Sequence, residues 1–158
     1  MRQGWIWASL LLCAAVLSAC SSGPVRRVSA PAASIQQLTV HADGNWSVDL
    51  RLQNYSSIPM RFTSVGLAIT VSDQAAGTLQ GAPQISIGPE SADVVTLPFK
   101  PTAEARMVVA DALAGRRPMA YVLKGEIDAI PEEAKSRTFE IDARNVLNPV
   151  PGLDGVLR

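Results

Sequence analysis

Between residues 46 and 53 the chain alternates apolar and polar side chains without a break. Trp46, Val48, Leu50 and Leu52 share one parity; Ser47, Asp49, Arg51 and Gln53 share the other. Successive side chains of an extended chain point to opposite faces, so this run buries one face and wets the other only as a β-strand. At helical spacing the same residues would scatter around the axis. A strand with one apolar face needs partners with matching faces, and the neighbouring sequence supplies them. Residues 35–41 lead into Ala42, Asp43, Gly44 and Asn45, where Asp-Gly is a hairpin signal because glycine tolerates positive φ. Residues 54–59 (Asn-Tyr-Ser-Ser-Ile-Pro) predict a turn into a longer strand. That strand places Met60 and Phe62 on one parity but Val65, Leu67, Ile69 and Val71 on the other. A bulge or break near Thr63 and Ser64 is therefore required, or half of the apolar set would face water.

Further strands are expected at residues 84–87, ending at Gly88 and Pro89, and at 93–99. Pro98 cannot donate a ladder hydrogen bond, which puts the second of these at a sheet edge or ends it there. Residues 121–129 and 138–143 predict a closing hairpin around 131–135. Only residues 102–114 change period: Ala105, Val108, Val109, Ala112 and Leu113 form a helical stripe, with Thr102 to cap its start and Gly115 to close its end. Many short strands and one short crossing helix specify an all-β, two-sheet β-sandwich over residues 35–147, with 148–158 as a C-terminal tail.

The first residues read as an address. Met1, Arg2, Gln3 and Gly4 precede an apolar run from Trp5 to Leu17, followed by Ser18, Ala19 and Cys20. A basic start, a hydrophobic stretch and small residues at a cleavage site make a secretory signal, residues 1–19. The run is shorter than the roughly 20 residues needed to span a bilayer. Leu17-Ser18-Ala19-Cys20 resembles the bacterial lipobox, which implies cleavage between Ala19 and Cys20 and acylation of the Cys20 sulfur. Ser21 in the next position favours the outer membrane, with the domain facing the periplasm. Residues 20–34, rich in Ser, Ala and Pro, are expected to be the acylated cysteine and a flexible tether spanning ~20 Å; Arg26 and Arg27 could touch anionic headgroups, but a solvated linker is the reading expected.

Processing removes Cys13 and commits Cys20 to lipid, so the mature chain is left without a thiol for a disulfide, nucleophile or metal ligand. Losing Arg2 leaves 13 basic side chains against 14 acidic. That balance argues against a nucleic-acid partner, which usually demands a basic excess. His41, the single histidine, stands at a hairpin turn with no Cys- or Ser-centred motif beside it, and a surface role is expected. The densest carboxylate group is Glu126, Asp128, Glu140 and Asp142, all on the polar parity of the last hairpin. If residues 130 and 136 pair, Glu126 faces Glu140 and Lys124 faces Asp142. A weak Ca²⁺ site or an acid/base pair is the chemical reading; a solvated face balanced by Lys124 and Arg144 is the one expected. Trp46 falls among the core positions. No catalytic, cofactor-binding or metal residue is nominated, and neither a cofactor nor a small-molecule substrate is expected.

The stretch from Val48 to Phe62 resembles the group 2 late embryogenesis abundant proteins, whose shared module is the water stress and hypersensitive response domain. These have a strand ending in Asn-Pro-Asn, a turn and a returning strand. Asn54 matches the first Asn, while Tyr55 and Ser56 stand where the family has Pro and Asn. Ile87 to Ser91, Val95 to Pro98, and Tyr121 to Ile127 resemble the family's later turn and strands, so the similarity covers about Ile35 to Val146. It implies an immunoglobulin-like or fibronectin III-like sandwich and an association with desiccation and other dehydration stress. It brings no catalytic residues, and it makes the Asn54–Pro59 turn structural. The expected function is non-catalytic protection of client proteins in the envelope by a lipid-anchored domain. The alternative is an envelope adaptor that docks one specific protein partner through a loop or a strand edge such as that near Phe99.

Overall fold

The computed structural model describes residues 26–158. The signal, its cleavage residue Ala19 and the acylation residue Cys20 lie outside the described residues. The elements run β1 (Ala32–Val40), β2 (Trp46–Gln53), β3 (Met60–Val71), β4 (Gln74–Gly81), β5 (Ile85–Ile87), β6 (Ala92–Phe99), α1 (Ala103–Ala114), β7 (Met119–Pro131), β8 (Arg137–Leu147) and β9 (Val156–Leu157). Antiparallel pairing orders them as β6-β2-β1-β9 in one sheet and β4-β3-β7-β8 in the other, with β5 on the start of β3. This is the all-β two-sheet sandwich that the alternation predicts.

Each sheet turns its apolar parity inward. Trp46, Val48, Leu50 and Leu52 of β2 are all buried, and the Trp46 ring meets Phe99 with centroids 5.6 Å apart. Across the interface stand Leu67, Ile69 and Val71 of β3 with Tyr121, Leu123 and Ile127 of β7. The parity switch in β3 is a register shift against β7 between Phe62 and Ser64, which lets Met60 and Phe62 enter the same core as Val65 and Leu67. Pro98 does lie in an edge strand, opposite Ser47 of β2.

Strand β4 carries no readable alternation, and its reason is a second irregularity. The register against β3 slips between Ile69 and Thr70, where Thr70 faces Ala75 and Ile69 faces Gly77. The extra residue lets Ala76 and Leu79, which sit on opposite parities, both become buried. The helix begins as expected: the Thr102 hydroxyl accepts from the Ala105 N–H at 3.2 Å and donates to the Ala75 carbonyl at 2.8 Å. Ala105, Val109 and Ala112 are its buried face. Its end differs in detail. Gly115 keeps a right-handed conformation, and Arg116 takes the left-handed one at φ +50°. The Arg117 amide then reaches back to the Ala112 carbonyl, at 2.9 Å, and the Arg116 amide to Leu113.

Two boundaries differ from expectation. The tether expected up to residue 34 gives way to structure much earlier. Strand β1 starts at Ala32, Val28 packs against the core and Pro31 is buried, because these side chains complete the apolar face beside β2. The tail expected at 148–158 returns to the body. Val156 and Leu157 pair with Thr39 and Leu38 of β1, and Leu157 is fully buried. Asn148 and Arg158 exchange backbone hydrogen bonds, so this segment joins the continuation of β8 to the edge of the other sheet.

Chain direction gives the sandwich two poles. One gathers residues 26–31, 54–59, 88–91 and 131–136; the other gathers 41–45, 72–73, the helix and 148–155.

Candidate functional site

At the first pole the chain enters the body, and one side chain organises the approach. Asn54 follows β2 and is fully buried. Its Nδ2 donates to the carbonyls of Ile58 at 2.9 Å, Gly88 at 2.9 Å and Ile87 at 3.1 Å. Its Oδ1 accepts from the Ser56 N–H at 2.9 Å, and its own N–H donates to the Ser91 carbonyl. A short amide can mimic a backbone turn in this way, which is why asparagine suits a strand end that must reverse. With two amide protons serving three carbonyls, one bond is shared, and every polar atom of the side chain is used. Pro59 closes the same loop just before β3, and its carbonyl accepts from the Glu132 N–H at 2.9 Å.

Ser56, also fully buried, passes this order to the lead-in segment, residues 26–31. Its hydroxyl accepts from the Ser29 N–H at 3.0 Å and donates to the Ser29 carbonyl at 3.3 Å. Next to it, Arg27 and Ser57 trade bonds: the Arg27 N–H donates to Ser57 Oγ at 2.8 Å, and the Ser57 N–H donates to the Arg27 carbonyl at 3.0 Å. The two arginines are exposed, as expected, and each is also clasped to acids of the body. Arg26 reaches Glu133 at 2.7 Å and Glu132 at 3.8 Å; Arg27 reaches the Tyr55 carbonyl at 3.3 Å and Glu90 at 3.4 Å. Pairs this exposed contribute about 0–1 kcal/mol each, so the part-buried Ser56–Ser29 exchange is the stronger hold. Tyr55, at the tip of the loop, remains half exposed (50%).

The last hairpin has the register expected of it, with Glu126 opposite Glu140 and Lys124 opposite Asp142. Two of its carboxylates, Asp128 and Asp142, find separate local partners, while Glu126 and Glu140 face each other across the ladder. Asp128 accepts from the hydroxyls of Ser64 and Thr138, both at 2.6 Å, and these two donors hold its carboxyl below the usual aspartate range. Asp142 lies between Lys124 at 3.3 Å and Arg144 at 3.9 Å. Among the described residues, no group of three or more His, Cys, Asp or Glu is placed to hold a metal ion. His41 is exposed, with Nε2 2.7 Å from Ser47 Oγ. The edge near Phe99 is partly covered from the opposite sheet, where Phe99 lies against Gly77 and Leu97 against Gly81.

Sequence reasoning singled out Asn54 and Pro59 and missed Ser56, Ser29 and the arginine clasps. Arg26 and Glu133 are more than a hundred residues apart, and no periodicity links them.

No family model matches the chain, and no curated protein sequence does. Solved structures do. AT1g01470 from Arabidopsis thaliana superposes with a TM-score of 0.51 at 9% identity, over 86% of this chain and 91% of that one. A candidate late embryogenesis abundant (LEA) protein, At2g46140.1, gives 0.49 at 16% identity, over 95% and 87%. A candidate ApaA protein from Bordetella pertussis gives 0.47 at 13%, over 82% and 100%. The sandwich fold is thus shared with the Arabidopsis protein AT1g01470.

Proposed function

We propose that this protein is a lipoprotein held to the outer membrane through acylated Cys20, and that its sandwich protects envelope proteins from associating during drying or related stress, by contact and without catalysis. The signal run and the lipobox-like Leu17 to Cys20 support the anchor. The protective role draws on the resemblance to the group 2 late embryogenesis abundant proteins. One observation supports it: Asn54, which matches the first Asn of the family's turn, is the buried amide that knits β2 to the 54–59 and 87–91 segments at one pole.

The anchor is tested by replacing Cys20 with Ala. Loss of the acyl mass and of outer-membrane fractionation is expected, and unchanged fractionation would remove the assignment. Protection is tested by drying a labile enzyme with the chain from Ser21 onward. Recovery clearly above that given by an equal mass of albumin is expected; equality counts against the role. A specific adaptor is the second reading, favoured by the edge position of β6. Crosslinking in intact cells separates the two, since an adaptor gives one stoichiometric partner and a protectant gives many.

A further inference from the structure

We infer that the pole holding Asn54, Ser56 and the arginine clasps is the face that meets the phospholipid surface, with Tyr55 at headgroup level and the helix pole turned away. This rests on acylation of Cys20. The first argument is length. Only six Cα steps separate Cys20 from Arg26, and six residues reach at most about 21 Å even when fully extended. From Arg26 onward the chain is fastened to the body by the Ser29–Ser56 and Arg27–Ser57 exchanges. A sandwich whose longest strand has 13 residues is about 43 Å long, roughly twice the reach of that leash.

The second argument is charge and surface chemistry, which choose between a body that stands and one that lies flat. The broad outer face of the β4-β3-β7-β8 sheet carries Glu126, Asp128, Glu140 and Asp142 against Lys124 and Arg144, a net negative face that an anionic lipid surface repels. The leading pole instead presents Arg26, Arg27, Lys135 and Arg137 against Glu90, Glu132 and Glu133, which pair with the first two, and a half-exposed tyrosine at the tip of its loop. Tyrosine favours the membrane–water boundary because its ring is apolar and its hydroxyl is wet. The Arg27–Ser57 and Ser29–Ser56 exchanges together set the stance: if both opened, the chain would be free up to β1 at Ala32 and the leash would roughly double.

The mature chain has no other cysteine, which allows a matched test. Tyr55→Cys and Leu153→Cys label two positions of equal exposure, 50% each, one at either pole. The acylated full-length chain, labelled with a fluorophore, is placed in phosphatidylethanolamine vesicles containing a minority of phosphatidylglycerol and a headgroup-linked quencher. Loss of most emission at position 55 and little at position 153 is expected. A flexible Gly-Ser insertion between Val25 and Arg26, which leaves the body untouched, is expected to shrink that contrast. Equal quenching at both positions, or no effect of the insertion, overturns the stance while leaving the anchor intact. A mass spectrum of the same sample showing Cys20 unmodified overturns the anchor, and the stance with it.

Discussion

Two polar regions of this molecule use their side chains in opposite ways. At Asn54 one neutral amide, closed off from water, serves three carbonyls and one N–H. On the β7–β8 hairpin four carboxylates stand along a sheet face, each answered by a local hydroxyl or cation, or facing its like across the ladder. The hairpin looked the richer in chemistry because charge is conspicuous in a sequence. Yet water and salt discount an exposed charge, whereas a buried amide has no substitute for its partners. What matters is which groups would be stranded if a side chain were removed.

The largest expected effect follows from that contrast. Asn54→Ala takes the Asn54 partner from the carbonyls of Ile58 and Ile87 and from the N–H of Ser56, while the Gly88 carbonyl keeps the Ser91 hydroxyl, and unsatisfied buried groups cost about 1–3 kcal/mol each. Urea unfolding should show a loss of about 3 kcal/mol or more, and a loss near zero would break the comparison. Ser56→Ala removes only the bridge to Ser29, for about 1–2 kcal/mol, and should open the lead-in segment to proteolysis before the body unfolds. On the hairpin, Glu126→Gln relieves the like pair with Glu140 and should raise stability by only a few tenths of a kcal/mol.

An acid titration sharpens the same point. Hydroxyls of Ser64 and Thr138 favour the ionised form of Asp128, so its pKa in the fold lies below the unfolded value. The folded state then binds fewer protons than the unfolded state in that range. Its contribution is present above the unfolded pKa, near 4, and is lost as pH falls through the lower folded value. Asp128→Asn should flatten this acid limb by lowering the neutral plateau toward the acid value, as followed by circular dichroism.

Much of the sandwich was legible because its buried strands obey a single period. The alternation of β2 and the parity switch of β3 leave no other way to hide Trp46, Met60 and Val65 together. Strand β4 was illegible because its bulge moves Ala76 and Leu79 onto one side despite their opposite parities. The helix stop at Gly115 was legible, but the left-handed turn that a glycine advertises is taken by Arg116. At the candidate site, Asn54 was visible as a turn former. Its acceptors on Ile87 and Gly88 were not, because they arrive from a loop thirty-odd positions away. Nothing local marked Ser29 or Arg26 as fastened.

The pairing of Leu38 with Leu157 bears on how quickly this protein can be made ready. Those two residues cannot meet until everything between them has been laid down, and closing so long a loop makes the encounter slow. Until then one margin of a sheet lies unsealed and able to recruit a strand from a neighbour. A nascent copy would thus pass through a sticky adolescence, during which crowding favours clumping and a chaperone would be useful.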